Sequence, residues 1–134
     1  MKNRKGYKLK EWTDATVSDL IYRAMNLDIH DEDAFVYEDF TDPDEAKSDP
    51  LYSGSILVWK EPSTAINTDA DCYAVMSTVS YYCGDEIGRS EVQYVPIDNI
   101  IRLEIIIKNL YIEWCNENKI DYCITNPIEN FEEA

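Results

Sequence analysis

Three runs of β-forming side chains follow one another in the middle of the chain and constrain its fold more than any other feature. The longest, residues 72–82, reads Cys-Tyr-Ala-Val-Met-Ser-Thr-Val-Ser-Tyr-Tyr, and the other two are residues 55–60 and 91–95. Because β-branched and aromatic residues are enriched in strands, each run predicts a strand. Residues 83–88 contain Gly84 and Gly88 and predict a turn or hairpin loop. Together these runs predict an antiparallel meander.

An amphipathic segment, residues 13–27, precedes the strands. Its apolar residues recur at helical spacing: Val17, Leu20, Ile21, Ala24 and Leu27. Either Thr13 or Thr16 can cap this helix, and with Thr13 as the cap, Trp12 and Val17 occupy the positions of a hydrophobic staple. The segment therefore predicts an N-terminal helix.

Residues 96–118 allow two interpretations. In one, Asp98 caps a single long helix whose apolar stripe is Ile100, Leu103, Ile107, Leu110 and Trp114. In the other, residues 101–107 form a fourth strand and a short helix starts near Asn109. We predict the strand and short helix, because residues 101–107 are dense in β-branched side chains. Residues 122–124 predict a short edge strand.

These elements predict an α+β protein with an N-terminal helix, an antiparallel sheet of three to four strands and a C-terminal helix. The 134 residues suit one domain, which can bury a core without a metal or disulfide. We expect a flexible basic arm at residues 1–11, a single α+β domain at 12–125 with the segment 28–50 packed on it, and an acidic tail at 126–134.

The cysteines and the N-terminus bear on the compartment. Cys72, Cys83, Cys115 and Cys123 include no C-x-x-C pair, so neither their spacing nor the single histidine favours a zinc site. No apolar run approaches the roughly 18 residues of a membrane span, and the basic N-terminus does not lead into the apolar core of a secretory signal. We expect four reduced thiols in a cytoplasmic protein without membrane partners.

Motifs for catalysis are weak in this sequence. His30 lies among acidic residues, and any Ser-His or Cys-His site would have to use it. Asn67, Asp69 and Asp71 alternate as in a calcium loop, but Cys72 and Thr78 stand where that loop needs Gly and Glu. No glycine-rich phosphate loop occurs. We therefore predict no enzymatic activity, no cofactor and no metal.

The charge is strongly negative and unevenly distributed. Net charge is −15; residues 1–10 carry five bases and no acid, while the other 124 residues carry 27 acids and seven bases. Such a surface repels phosphate backbones, which argues against direct nucleic-acid binding. Long-range steering instead favours a basic protein as the partner.

Residues 28–50 concentrate this charge, with ten acids and one base, and they interleave aromatic residues. We expect the aromatic residues to hold the segment on the protein body or to enter apolar pockets of a partner. Extended backbone rises by about the phosphate spacing of one DNA strand, so the carboxylates could stand in for phosphates. The predicted partner-binding residues are Asp31, Glu32, Asp33, Phe35, Tyr37, Glu38, Asp39, Phe40, Asp42, Asp44, Glu45 and Asp49.

Three functional hypotheses follow. The first is a small acidic inhibitor, or nucleic-acid-mimicking decoy, that binds a basic nucleic-acid-handling protein, as phage anti-defence and immunity proteins do. The second is a self-assembling accessory protein that exposes a stripe of Leu103, Ile107, Leu110 and Trp114 to another subunit. The third is a carboxylate-based, Mg²⁺-dependent enzyme. The charge distribution favours the first hypothesis, although an acidic segment also serves simply to keep a protein in solution.

Overall fold

A computed structural model describes residues 12–40, 52–81, 86–117 and 121–125. Along the chain the elements are α1 (Asp14–Met25), β1 (Val36–Asp39), β2 (Tyr52–Glu61), α2 (Ser63–Ile66), β3 (Cys72–Tyr81), β4 (Glu86–Arg89), β5 (Gln93–Pro96) and α3 (Ile100–Glu117). The predicted α+β class is confirmed, with a helix at each end of an antiparallel sheet. The basic arm at 1–11 and the acidic tail at 126–134 lie outside the described residues.

The sheet is a meander in the order β1-β2-β3, and both β4 and β5 then pair with the far edge of β3. β2 and β3 pair over ten residues, from Tyr52 opposite Tyr81 to Glu61 opposite Cys72. Between β4 and β5 the chain stays attached through Ser90, whose backbone N–H donates to the Ser77 carbonyl at 2.8 Å. The sheet is thus four strands wide.

Two short strands depart from the sequence-based expectations. β4 includes residues 86–88, where we predicted a turn, and residues 82–85 lie outside the described ranges. β1 lies in the acidic segment, where two prolines and dense charge gave no strand signal, and it forms through pairing with β2.

Residues 121–125 form no strand, so the predicted edge strand at 122–124 is wrong. This segment is held instead by Thr125, whose N–H and hydroxyl donate to the Asp14 carboxylate at 2.9 and 2.6 Å.

α1 matches the predicted helix closely. Thr13 is its N-cap, and the Thr13 N–H donates to the Thr16 hydroxyl at 3.1 Å. Trp12 and Val17, the predicted staple pair, are both buried in the core. Burying the apolar stripe of α1 fixes the helix on the sheet, because packing rather than propensity supplies most helical stability in proteins.

α3 is one 18-residue helix, so the predicted strand at 101–107 is wrong. Its first turn is capped by Asn99, whose side-chain oxygen accepts from the Arg102 N–H at 3.1 Å, one residue after the expected Asp98. Ile105, Ile106 and Ile107 are all buried, since α3 packs against both the sheet and α1. With apolar neighbours on two sides, burial outweighs the small helical penalty of β-branched residues.

One face of the sheet forms the core with the two long helices. Its buried side chains come from alternate positions of β2, β3 and β5: Ile56, Val58, Tyr73, Val75 and Val95. Leu103, Ile107, Leu110 and Trp114 of α3 pack into this core and are 0–8% exposed. That stripe is therefore occupied within the chain and is not available as a subunit contact. None of the helices in the described ranges combines the length and hydropathy needed to cross a membrane.

Candidate protein-binding surface

Residues 28–34 form the acidic turn, which connects α1 to β1. The carboxylate of Asp28 accepts from the His30 N–H at 2.9 Å, and that of Asp31 accepts from the Asp33 N–H at 3.0 Å. Such side-chain-to-backbone hydrogen bonds stabilise tight turns, and they explain why aspartate recurs in residues 28–34. Asp31, Glu32 and Asp33 are all exposed. The turn therefore holds three neighbouring carboxylates in solvent, in place of the extended phosphate-like spacing that we predicted for them.

Two exposed aromatic rings follow the acidic turn. Phe35 and Tyr37 are each 52% exposed, and their ring centroids lie 6.1 Å apart. Tyr37 belongs to β1, so its side chain is positioned by a strand of the sheet. The structure thus brings three carboxylates and two rings of the predicted set to one end of the sheet.

Other members of the predicted set are occupied inside the protein. Phe40 is 1% exposed and packs among Trp12, Tyr111 and Trp114, with ring centroids 4.8–5.4 Å away. This residue holds the segment on the body, which was one of the two roles that we expected for its aromatic residues. Phe40 is therefore not part of the candidate surface.

Glu38 is also directed inward. Its carboxylate lies 2.5 Å from the Arg23 guanidinium, and the Glu38 side chain is only 10% exposed. Arg23 in turn pairs with Asp19 at 2.9 Å and donates to the Tyr37 carbonyl at 3.2 Å. Glu38 thus attaches β1 to α1 and is not part of the exposed charge. Asp39 is partly exposed, and Asp42, Asp44, Glu45 and Asp49 lie outside the described residues.

Within the described residues, the candidate catalytic side chains do not come together at one site. His30 is exposed on the acidic turn, and burial raises the pKa of the Cys115 thiol to about 11, which disfavours a thiolate. No group of three or more His, Cys, Asp or Glu side chains within the described ranges could hold a metal ion. A pocket beside Phe40, Glu113 and Glu117 has a volume of about 40 Å³, which suits a few waters rather than a metabolite.

A second buried charge supports the fold. Lys108 is 5% exposed, and its ammonium lies 3.3 Å from the carboxylates of both Asp14 and Glu104. Hydrogen bonds from Thr125, helped by Lys108, lower the pKa of Asp14. This cluster joins α1, α3 and residues 121–125, so its role is structural.

Comparison with known proteins gives no assignment: no protein-family model, curated protein or solved structure matches this chain.

Proposed function

We propose that this protein is a cytoplasmic, non-catalytic inhibitor that binds a basic nucleic-acid-handling protein and competes for its nucleic-acid-binding surface. The observation that carries the proposal is the acidic turn with its exposed carboxylates Asp31, Glu32 and Asp33, next to the exposed rings of Phe35 and Tyr37. Interfaces that bind tightly combine aromatic anchors with complementary charge, and this end of the molecule offers both.

The negative charge of the molecule is not cancelled internally. The described residues contain 18 acidic side chains and five basic ones. Of those bases, Arg23 and Lys108 are engaged in ion pairs, and Lys60 donates to the Met25 and Leu27 carbonyls at 2.8 and 2.9 Å. A field of this sign accelerates the approach of a basic partner and disfavours nucleic acid itself.

The first experiment is affinity capture from the native host at low and high salt, with mass spectrometry of the bound proteins. We expect a basic nucleic-acid-binding protein that is retained at low salt, released at high salt and displaced by added duplex DNA or RNA. Retention that is insensitive to both salt and nucleic acid would contradict the proposal.

Charge-neutralising variants then test the acidic turn. Asp31→Asn, Glu32→Gln and Asp33→Asn together remove three charges but keep the oxygen that accepts the turn's hydrogen bond. At about 0.5 kcal/mol per exposed pair, we expect roughly tenfold weaker binding to the captured partner. The matched control is Asp69→Asn, Asp98→Asn and Glu113→Gln, which removes the same charge from exposed sites elsewhere. Equal weakening by both triple variants would refute a specific role for the turn.

A further inference from the structure

The second face of the sheet is apolar but is not covered by the helices. Alternation along the strands places Tyr37, Leu57 and Met76 in one row across β1, β2 and β3, since these residues are register partners. Trp59, Ala74 and Tyr94 form the next row across β2, β3 and β5. Side chains of these positions point away from Ile56, Val58 and Val75, which lie in the core.

This surface is called the open face below, and all of its large side chains are at least partly exposed. Its large side chains are Phe35, Tyr37, Leu57, Trp59, Met76 and Tyr94. Tyr37 is 52% and Tyr94 48% exposed, whereas Ala74 is fully buried between larger neighbours. Four of the six side chains are aromatic, a composition typical of the centre of a protein interface.

Polar and charged residues border the open face at both ends of its apolar rows. Beyond Leu57 lies the row of Asp39, Ser55, Thr78 and Arg89, in which the Ser55 and Thr78 hydroxyls hydrogen-bond at 2.9 Å. Beyond Trp59 lies Glu61. Phe35 extends the face toward the acidic turn. The apolar centre is thus bordered by polar residues and by two carboxylates of the same strands, those of Asp39 and Glu61.

The size and charge of the open face indicate its occupant. With strands about 4.8 Å apart and successive rows about 7 Å apart, the two rows cover on the order of 200 Å². That area is well below the roughly 800 Å² per partner of a stable interface, so contacts outside the apolar rows must contribute. A second copy would bring another net charge of −15 against the same carboxylates. A basic partner would instead pair its cations with them.

We infer that the open face is the surface on which a basic protein docks an apolar or aromatic group, with its cations placed on Glu61 and the acidic turn. This inference rests on the proposed function and adds to it the apolar half of the recognition. The charges set the rate of approach, and the aromatic face sets the lifetime of the complex.

Two synthetic peptides of equal length and equal lysine content serve as probes, one with Leu and Phe between the lysines and one with Ser. Trp59 supplies the signal, because Trp12 and Trp114 are only 1% and 5% exposed. At low salt we expect the full-length protein to bind the Leu/Phe peptide about tenfold more tightly than the Ser peptide, with a blue shift of Trp59 emission. A Trp59→Phe variant identifies the source of the shift.

Matched double variants locate the apolar contact. Tyr37→Gln with Met76→Gln should reduce binding of the Leu/Phe peptide to the level of the Ser peptide. The control is Tyr22→Gln with Met25→Gln, which removes the same two residue types from exposed positions of α1 and should leave the preference unchanged. Thermal melts of both variants confirm that each is folded before binding is compared.

The outcomes separate the two proposals. Equal binding of both peptides overturns the open-face inference, while weaker binding of both by the acidic-turn variant still supports the proposed function. If neither peptide binds even at low salt, both proposals fail. A dimer in sedimentation that Tyr37→Gln with Met76→Gln dissolves would show that the face binds a second copy and would overturn the assignment of a basic partner.

Discussion

Replacing Gly54 with alanine should destabilise the protein, because the Phe40 ring already occupies the space that a side chain would need. An ideal Cβ at Gly54 lies 2.7 Å from Phe40 Cδ2, 3.1 Å from Phe40 Cε2 and 3.1 Å from Trp114 Nε1. A contact under 3.0 Å requires some atom to move. Phe40 has little freedom to do so, since it is 1% exposed and packs against Trp12, Tyr111 and Trp114.

Two opposing effects set the magnitude. Alanine in a strand is favoured over glycine by about 0.5–1 kcal/mol, because glycine loses more backbone entropy on folding. Overpacking a close-packed core costs about 1–3 kcal/mol. We expect the overpacking to dominate, with a net loss of about 1–2 kcal/mol in the free energy of unfolding and a fall of about 3–8 °C in Tm.

Urea denaturation followed by circular dichroism measures this loss, and a double-mutant cycle identifies its cause. Phe40→Val removes the δ and ε ring atoms and by itself should cost about 2–4 kcal/mol. In that background, Gly54→Ala should cost less than in the wild-type protein, with a coupling of about 1 kcal/mol. A Gly54→Ala protein as stable as wild type, or strictly additive effects, would refute the packing of Phe40 on β2.

Two further predictions concern the ion pairs that Glu38 and Asp14 form with Arg23 and Lys108. Arg23→Met removes the guanidinium that pairs with the nearly buried Glu38 carboxylate, and it should lower the free energy of unfolding in urea by about 2 kcal/mol. Glu38→Gln should cost less, because it removes the buried negative charge itself. A larger loss for Glu38→Gln than for Arg23→Met would contradict the pairing. The lowered pKa of Asp14 stabilises the fold at any pH above its unfolded value near 3.8, and this contribution is lost as the pH falls through the folded pKa. Asp14→Asn should therefore be less stable than wild type at pH 7, and the difference should shrink below about pH 4; a difference independent of pH would contradict the proposed electrostatic role.

The helices show where sequence patterns are sufficient and where they fail. α1 was predictable because its apolar stripe is narrow and its capping residues are local. α3 was not, because Ile105, Ile106 and Ile107 look like a strand unless it is known that α1 and the sheet both pack against them. Local propensity carries no information about a second packing partner, and for this reason the β-branched residues of 101–107 wrongly predicted a strand.

The acidic segment divides in a way that its composition does not reveal. Asp31, Glu32 and Asp33 face solvent. Glu38, in contrast, is held inside by Arg23, and Phe40 fills the space above Gly54. Those partners lie 14 to 15 residues away along the chain, so no local pattern indicates them. The exposed part of the candidate site was readable from the sequence, and the buried part required the tertiary contacts.

The open face was missed although the sequence contains a signal for it. Residues 56–59 are apolar at every position, which predicts a strand buried on both sides. Both long helices of the described ranges pack on one side of the sheet, and on its other side Leu57 and Trp59 stay partly exposed while Ile56 and Val58 are buried. When the odd and even positions of a strand are both apolar and the sequence has few helices, the sheet is expected to have a second apolar surface.

The hydrogen bonds along the edge strand β1 disfavour one mode of partner binding, the addition of a strand to the sheet. β1 is an edge strand, and unpaired edge groups often recruit another strand. Here the outward carbonyl of Tyr37 accepts from Arg23 at 3.2 Å, and that of Asp39 accepts from the Trp12 indole N–H at 2.8 Å. Arg23 and Trp12 already donate to these two carbonyls, so adding a strand at β1 would require breaking both hydrogen bonds. Side-chain contacts across the open face need no such rearrangement, and recognition through that face is therefore the less costly route for a partner.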